Sequence, residues 1–135
     1  MFKKLALFIV IFLVLILSIA CSSEPEPVGP PLEGEVTDLA VEFIGNLVEE
    51  DFSRAAAFFN VEMKKAMSES KLKQTWQTLL SQQGDYVGEL EQRVEQSGEY
   101  TAVNVITEFA AGPINIRVVF DNDNRVAGLW FQPVP

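Results

Sequence analysis

Three kinds of hydrophobic pattern follow one another along the chain. From Leu5 to Ala20 the residues are apolar, interrupted only by Ser18. From Val36 to Leu80 apolar residues recur every three or four positions, and from Asp85 onward every second one. The first spaced set is Val36, Leu39, Ala40, Phe43, Ile44, Leu47 and Val48. On a helix of 3.6 residues per turn these make one stripe. Asp51 is placed to cap a short second helix carrying Phe52, Ala55, Ala56 and Phe59, and Asn60 to start a further turn with Met63 and Met67. Ser68 or Ser70 then caps a third helix whose stripe is Leu72, Trp76, Leu79 and Leu80, ending near Gly84.

Turn signals at Ser97-Gly98, Ala111-Gly112 and Asp121 to Asn124 divide the period-two region into four strands. Helices first and an antiparallel meander afterwards predict an α+β domain with three N-terminal helices on one sheet face. Hairpin loops of even length then sort the side chains by parity. The inner face receives Tyr86, Gly88, Leu90, Gln92 and Val94, then Thr101, Val103, Val105, Thr107 and Phe109. It continues with Ile114, Ile116, Val118 and Phe120, and ends with Ala127, Leu129 and Phe131. The outer face receives Glu89, Glu91, Arg93, Asn104, Ile106, Glu108, Asn115, Arg117, Val119, Val126 and Trp130. A bulge would flip part of this assignment.

Composition narrows the function. The 135 residues carry a formal charge of −9 and include one cysteine and no histidine. With Lys3 and Lys4 in the leader, eight basic residues face nineteen acids beyond it, a net −11. Such a surface repels phosphates, so a nucleic-acid partner is not expected. One cysteine and no histidine exclude intrachain disulfides, Cys/His zinc sites and Ser–His or Cys–His catalysis. No cofactor or metal site is expected. Asp121 and Asp123 are spaced like calcium ligands. However, Val126 and Gln132 stand where that loop needs glycine and a bidentate glutamate, so a hairpin turn is the better reading.

The leader supplies the remaining clue. A basic start, "MFKK", precedes the apolar run, which ends in small residues and then Cys21. This junction resembles the bacterial lipobox, at which the cysteine sulfur is lipidated and the leader, residues 1–20, is removed. Ser18 stands where that motif usually has leucine. The alternative is an uncleaved signal-anchor helix with an incidental cysteine. A thiolate is the natural nucleophile for a thioether to lipid, and two or more chains make anchoring stable. Residues 21–34, rich in proline and glutamate, then read as a solvated tether of up to about 40 Å at ~3.1 Å per residue. The expected location is the extracytoplasmic side of a membrane in the cell envelope.

Three segments, "EEDFSRAAAFFNVEM", "TWQTLLSQQGDY" and "IRVVFDNDNRVAGLWFQPVP", resemble a domain of unknown function found in bacterial lipoproteins and ahead of some α/β-hydrolase domains. Helices followed by a curved antiparallel sheet likewise resemble the nuclear-transport-factor-like (SnoaL-like, cystatin-like) α+β roll. The resemblance spans roughly Glu35 to Pro133, so 35–135 is taken as one domain. The family commonly has glycine where this chain has Glu50, which bears on a helix boundary. No Gly-x-Ser-x-Gly elbow is present, so the hydrolase half of those fusions has no counterpart here.

Rolls of this kind often hold small ligands between sheet and helices. Here Trp76, Tyr86, Gln92 and Thr107 are the candidate lining, against the plainer reading of satisfied core polars. The inner face offers no carboxylate, lysine or histidine for acid–base work. On the outer face Ile106, Arg117, Val119, Val126 and Trp130 form a candidate interface, for a second copy or an envelope partner, with Gly128 leaving room for its approach. The expected function is a membrane-tethered, non-enzymatic ligand-binding or interaction module. The alternatives are a small isomerase or cyclase of the same fold and a purely structural envelope protein.

Overall fold

The computed structural model describes residues 30–134. The leader, Cys21 and the tether up to residue 29 lie outside the described residues. Four helices come first: α1 (Val36–Val48), α2 (Phe52–Ala57), α3 (Val61–Ala66) and α4 (Glu69–Gln83). The turn expected at Asn60 is thus a helix of its own. Polar side chains start three of the four. Asp51 accepts from the Arg54 N–H at 3.1 Å, Asn60 from Met63 at 2.8 Å, and Ser68 from Lys71 at 3.2 Å. Glu50, just past α1, has a φ of 59°, a left-handed conformation in which glycine is free of Cβ strain. A glycine, which the resemblance implies at this place, would take up that conformation without strain.

The strands are β1 (Tyr86–Ser97), β2 (Tyr100–Phe109), β3 (Gly112–Phe120) and β4 (Val126–Pro133), paired antiparallel in chain order. The domain is the expected α+β arrangement of helices preceding a four-stranded antiparallel sheet. Val103, Val105, Phe109, Ile116, Val118 and Phe120 are fully buried against Phe43, Leu47, Phe59, Leu72 and Trp76 of the helical layer. Trp76 packs edge-on to Phe109 with ring centroids 5.9 Å apart and lies 6.1 Å from Phe131.

Bulges correct the parity assignment in two strands. In β1 the register shifts between Tyr86 and Gly88, and again between Glu89 and Glu91. Gly88 therefore pairs with Glu108 on the outer face and Glu89 with Thr107 in an inner row, while Val87 and Leu90 are the extra residues. Both are exposed. Below the second bulge Gln92 and Val94 return to the inner rows opposite Val105 and Val103. In β4 the extra residue is Ala127, and Val126, expected outside, pairs with Phe120 and is wholly buried.

The β3–β4 turn ties the layers together. The Asp121 carboxylate accepts from the backbone N–H of Asp123 and Arg125 at 2.9 and 3.0 Å, and from the Asn60 side-chain amide at 3.1 Å. Arg125, itself buried, donates to the Ala57 carbonyl at 2.8 Å and to the Pro30 carbonyl at 2.7 Å. Asn124 donates to the Leu32 carbonyl at 3.1 Å, and the Leu32 N–H to the Asp123 carbonyl at 2.9 Å. Pro30 and Leu32, assigned to the solvated tether, are thus bound to the domain.

Truncating Trp76 to Ala should cost about 3–5 kcal/mol in chemical denaturation, as expected for a buried aromatic. Glu50→Gly should be neutral or stabilising by up to about 1 kcal/mol, because left-handed strain is removed while the unfolded chain gains freedom. A clear loss of stability in that variant would contradict the account of Glu50.

Candidate functional site on the outer sheet face

Alternation along the strands sets three outer rows side by side. Glu95, Ala102, Val119 and Gly128 form one. Arg93, Asn104, Arg117 and Trp130 form the next, and Glu91, Ile106, Asn115 and Gln132 the third. In the first row Ala102 and Val119 provide a small, apolar floor. Tyr100 rises on one side and Trp130 on the other, both about half exposed at 47% and 49%. Between them lies a groove of about 290 Å³, with Arg117 also lining it and Ser97 and Gln132 at its rim.

Gly128 has a definite part in this shape. Its missing side chain leaves space, but no partner is needed to fill it, because the six-membered ring of Trp130 lies there. A Cβ at position 128 would overlap that ring. The indole is thus folded across its own strand, which turns its face into a wall of the groove.

Polar groups at one end form a network. Arg117 Nη1 donates to Glu95 Oε2 at 2.8 Å and to Asn104 Oδ1 at 3.1 Å, and the Asn115 amide donates to the same Asn104 oxygen at 3.1 Å. Asn104 is buried despite its outward direction, since its neighbours lean over it. The hydrogen bond from Arg117, reinforced by its charge, holds the Glu95 carboxyl below the usual carboxylate range. Asn115 Oδ1 is buried with no partner among the described residues.

Of the residues singled out for an interface, Arg117, Val119 and Trp130 line the groove. Ile106 sits on the same face but in the row beyond Asn104, half-buried. Val126 does not belong to this face. Tyr100 is a further lining residue, turned outward by the same parity that turns Ala102 and Asn104 outward.

The four residues singled out for an inner pocket have these surroundings. Trp76 fills the core, and Tyr86 stacks edge-on to Phe109 at 5.5 Å. Burial, with Glu89 adding, pushes the Tyr86 phenol up. Thr107 donates to the Ile114 carbonyl at 2.8 Å, and Gln92 bonds the Glu89 carboxylate at the surface. The satisfied-polar reading fits Thr107, whereas the Trp76 indole N–H has no partner among the described residues. No group of three or more His, Cys, Asp or Glu side chains among the described residues could hold a metal ion.

Gly128→Ala should push the indole off its seat. A red-shifted Trp130 emission is expected with little loss of stability, because a half-exposed ring can swing away. Unchanged emission would mean that the ring does not rest on Gly128. A depressed carboxyl contributes stability above its unfolded pKa, near about 4.3, and loses it as pH falls through the lower folded value. In Arg117→Gln the Glu95 titration midpoint, followed by NMR, should therefore rise toward about 4.3.

Comparison with known proteins gives two matches. Residues 40–129 match the model of a family described as a protein of unknown function, DUF3887. A curated relative, Esterase EstD of Thermotoga maritima, is 28% identical over 92 residues, which is 67% of this chain and 22% of that protein. The chain thus spans less than a quarter of the relative it matches. No solved structure is significantly similar. The family match runs from within α1 into β4 and so covers nearly the whole helix-and-sheet unit described above. This chain belongs to the DUF3887 family.

Proposed function

We propose that this protein is a lipoprotein of the cell envelope, lipidated at Cys21 and held on the extracytoplasmic side of a membrane. Its α+β domain, a roll of the nuclear-transport-factor-like kind, serves there as a non-enzymatic recognition module. The carrying observation is the outer-face groove, with Tyr100 and Trp130 as walls, Ala102 and Val119 as floor and Arg117 at one end. Aromatic residues and arginine around an apolar centre are the composition of interaction hot spots. Such a face holds a partner by stacking and by the guanidinium, and it needs no general acid or base. A protein segment or ligand with a flat apolar group and an acceptor for Arg117 fits it.

The enzymatic alternative, an isomerase or cyclase of the roll type, would need a titratable side chain inside the helix–sheet layer. Polar groups found there among the described residues are Thr107, which is already bonded, the Trp76 indole and, at the layer's edge, the Tyr86 phenol, whose raised pKa makes it a poorer base at neutral pH. The esterase activity in the relative's name belongs to a protein mostly unmatched by this chain, and this sequence has no Gly-x-Ser-x-Gly elbow.

Two experiments test the reading. Cys21→Ala should accumulate as a larger, unprocessed precursor, and mass spectrometry of the detergent-solubilised wild type should show acyl chains on Cys21. A Cys21→Ala protein processed and anchored like wild type would sink the lipoprotein assignment. Tyr100→Glu, on an exposed wall, should reduce cross-linking to envelope partners while changing stability by less than about 1 kcal/mol. Undiminished cross-linking would leave the groove without this role.

A further inference from the structure

The two edges of the sheet are built differently. β1 is interrupted by two bulges, and Glu89, Glu91, Arg93 and Glu95 stand along it. Bulges and charges are the usual means of keeping an edge from pairing with another chain. β4, the other edge, contains no charged residue. Its outward groups are satisfied only at the start, where the Val126 N–H donates to the Phe58 carbonyl at 2.8 Å and the Asn60 N–H donates to the Val126 carbonyl at 2.9 Å.

Ladder groups alternate in direction along a strand, and the extra residue at Ala127 delays that alternation by one. The N–H and C=O of Leu129 and Phe131 therefore point outward, as those of Val126 do. No backbone group among the described residues outside the sheet meets them. Pro133 comes next in the series and has no N–H. The free edge is thus bounded at both ends, with Trp130 at its centre.

Such a run is its own complement. Laid antiparallel, Leu129 of one copy faces Phe131 of the other on both sides of Trp130, which makes four N–H···O=C bonds. The two Trp130 residues then form the intervening non-hydrogen-bonded pair, with Cα atoms about 4.5 Å apart. Beside the edge runs a groove of about 490 Å³ whose far wall is α4. The groove has no carboxylate, and Lys71 is its one charged lining residue. On a chain of net charge −9, this is a place where two copies can meet without acid facing acid. The tether is a poorer occupant, because Pro25, Pro27, Pro30 and Pro31 deprive it of N–H donors.

We propose that two copies of this chain join through their β4 edges, antiparallel about a two-fold axis at Trp130, into one continuous eight-stranded sheet. The contact is isologous, and the outer-face grooves of the two copies flank the axis. It stands apart from partner binding in the groove, and Tyr100→Glu leaves it intact.

The test uses the full chain in detergent. Trp130→Cys should form a disulfide-linked dimer on oxidation, beyond any product that the parent chain forms through Cys21, and Tyr100→Cys should not. In the unaltered protein, the amides of Leu129 and Phe131 should exchange at least tenfold more slowly at high protein concentration than at low. Those of Val87 and Leu90 on β1 should not change. Concentration-independent exchange at Leu129 and Phe131, or a Trp130→Cys chain that stays monomeric, overturns the proposal. Equal cross-linking of Tyr100→Cys overturns it in favour of face-to-face association.

Discussion

The β3–β4 turn is the constraint on which the other elements depend. Asp121 folds the turn by accepting two backbone N–H groups, and from there it reaches Asn60, the cap of α3. Arg125 is buried with no carboxylate partner among the described residues; its two terminal nitrogens donate to main-chain carbonyls at Ala57 and Pro30, while its Nε has no partner among those residues. A buried guanidinium is tolerable when carbonyl oxygens surround it, and carbonyls can be supplied wherever the backbone happens to pass. The result is a sheet whose far hairpin is stitched to the end of α2, the start of α3 and the segment before α1. Helix layer and sheet thereby keep one relative position, and that position closes the inner face around Trp76.

The same turn shows where sequence reading succeeds and where it stops. "DNDN" is legible as a turn, and its failure as a calcium loop follows from Val126 and Gln132. That Arg125 would bind Pro30, far away in sequence, is not legible, because carbonyl acceptors exist at every residue and carry no sequence signal. Helices were readable from their 3.6-residue stripes, and the caps Asp51, Asn60 and Ser68 from residue type alone. The meander was readable from its turns. Bulges were not, since an extra residue such as Ala127 has no compositional mark and yet moves Val126 from the surface to the core. On the outer face Arg117 and Val119 follow from parity, which holds between β2 and β3 because their pairing has no register shift, and Trp130 lies beyond the one shift in β4. Tyr100 shares that parity but stands at the very start of β2, beside the Gly98 turn, where period-two patterning has only begun.

Polar satisfaction is uneven between the two faces. Inside, Thr107 bonds the opposite strand and the Trp76 indole N–H has no partner among the described residues. Outside, Asn104 serves as common acceptor for Arg117 and Asn115 beneath larger neighbours. A buried amide that gathers two donors from β3 ties β2 to it through side chains as well as through the backbone ladder.

The attachment of Pro30 to Arg125 also has a mechanical meaning. Force applied along the segment before α1 enters the domain through the guanidinium and is shared between the β3–β4 turn and the end of α2. No strand of the meander is peeled from its neighbour by such a load, and α1 is not the first element pulled. The clasp thereby separates a pull on Pro30 from the pairing of the strands.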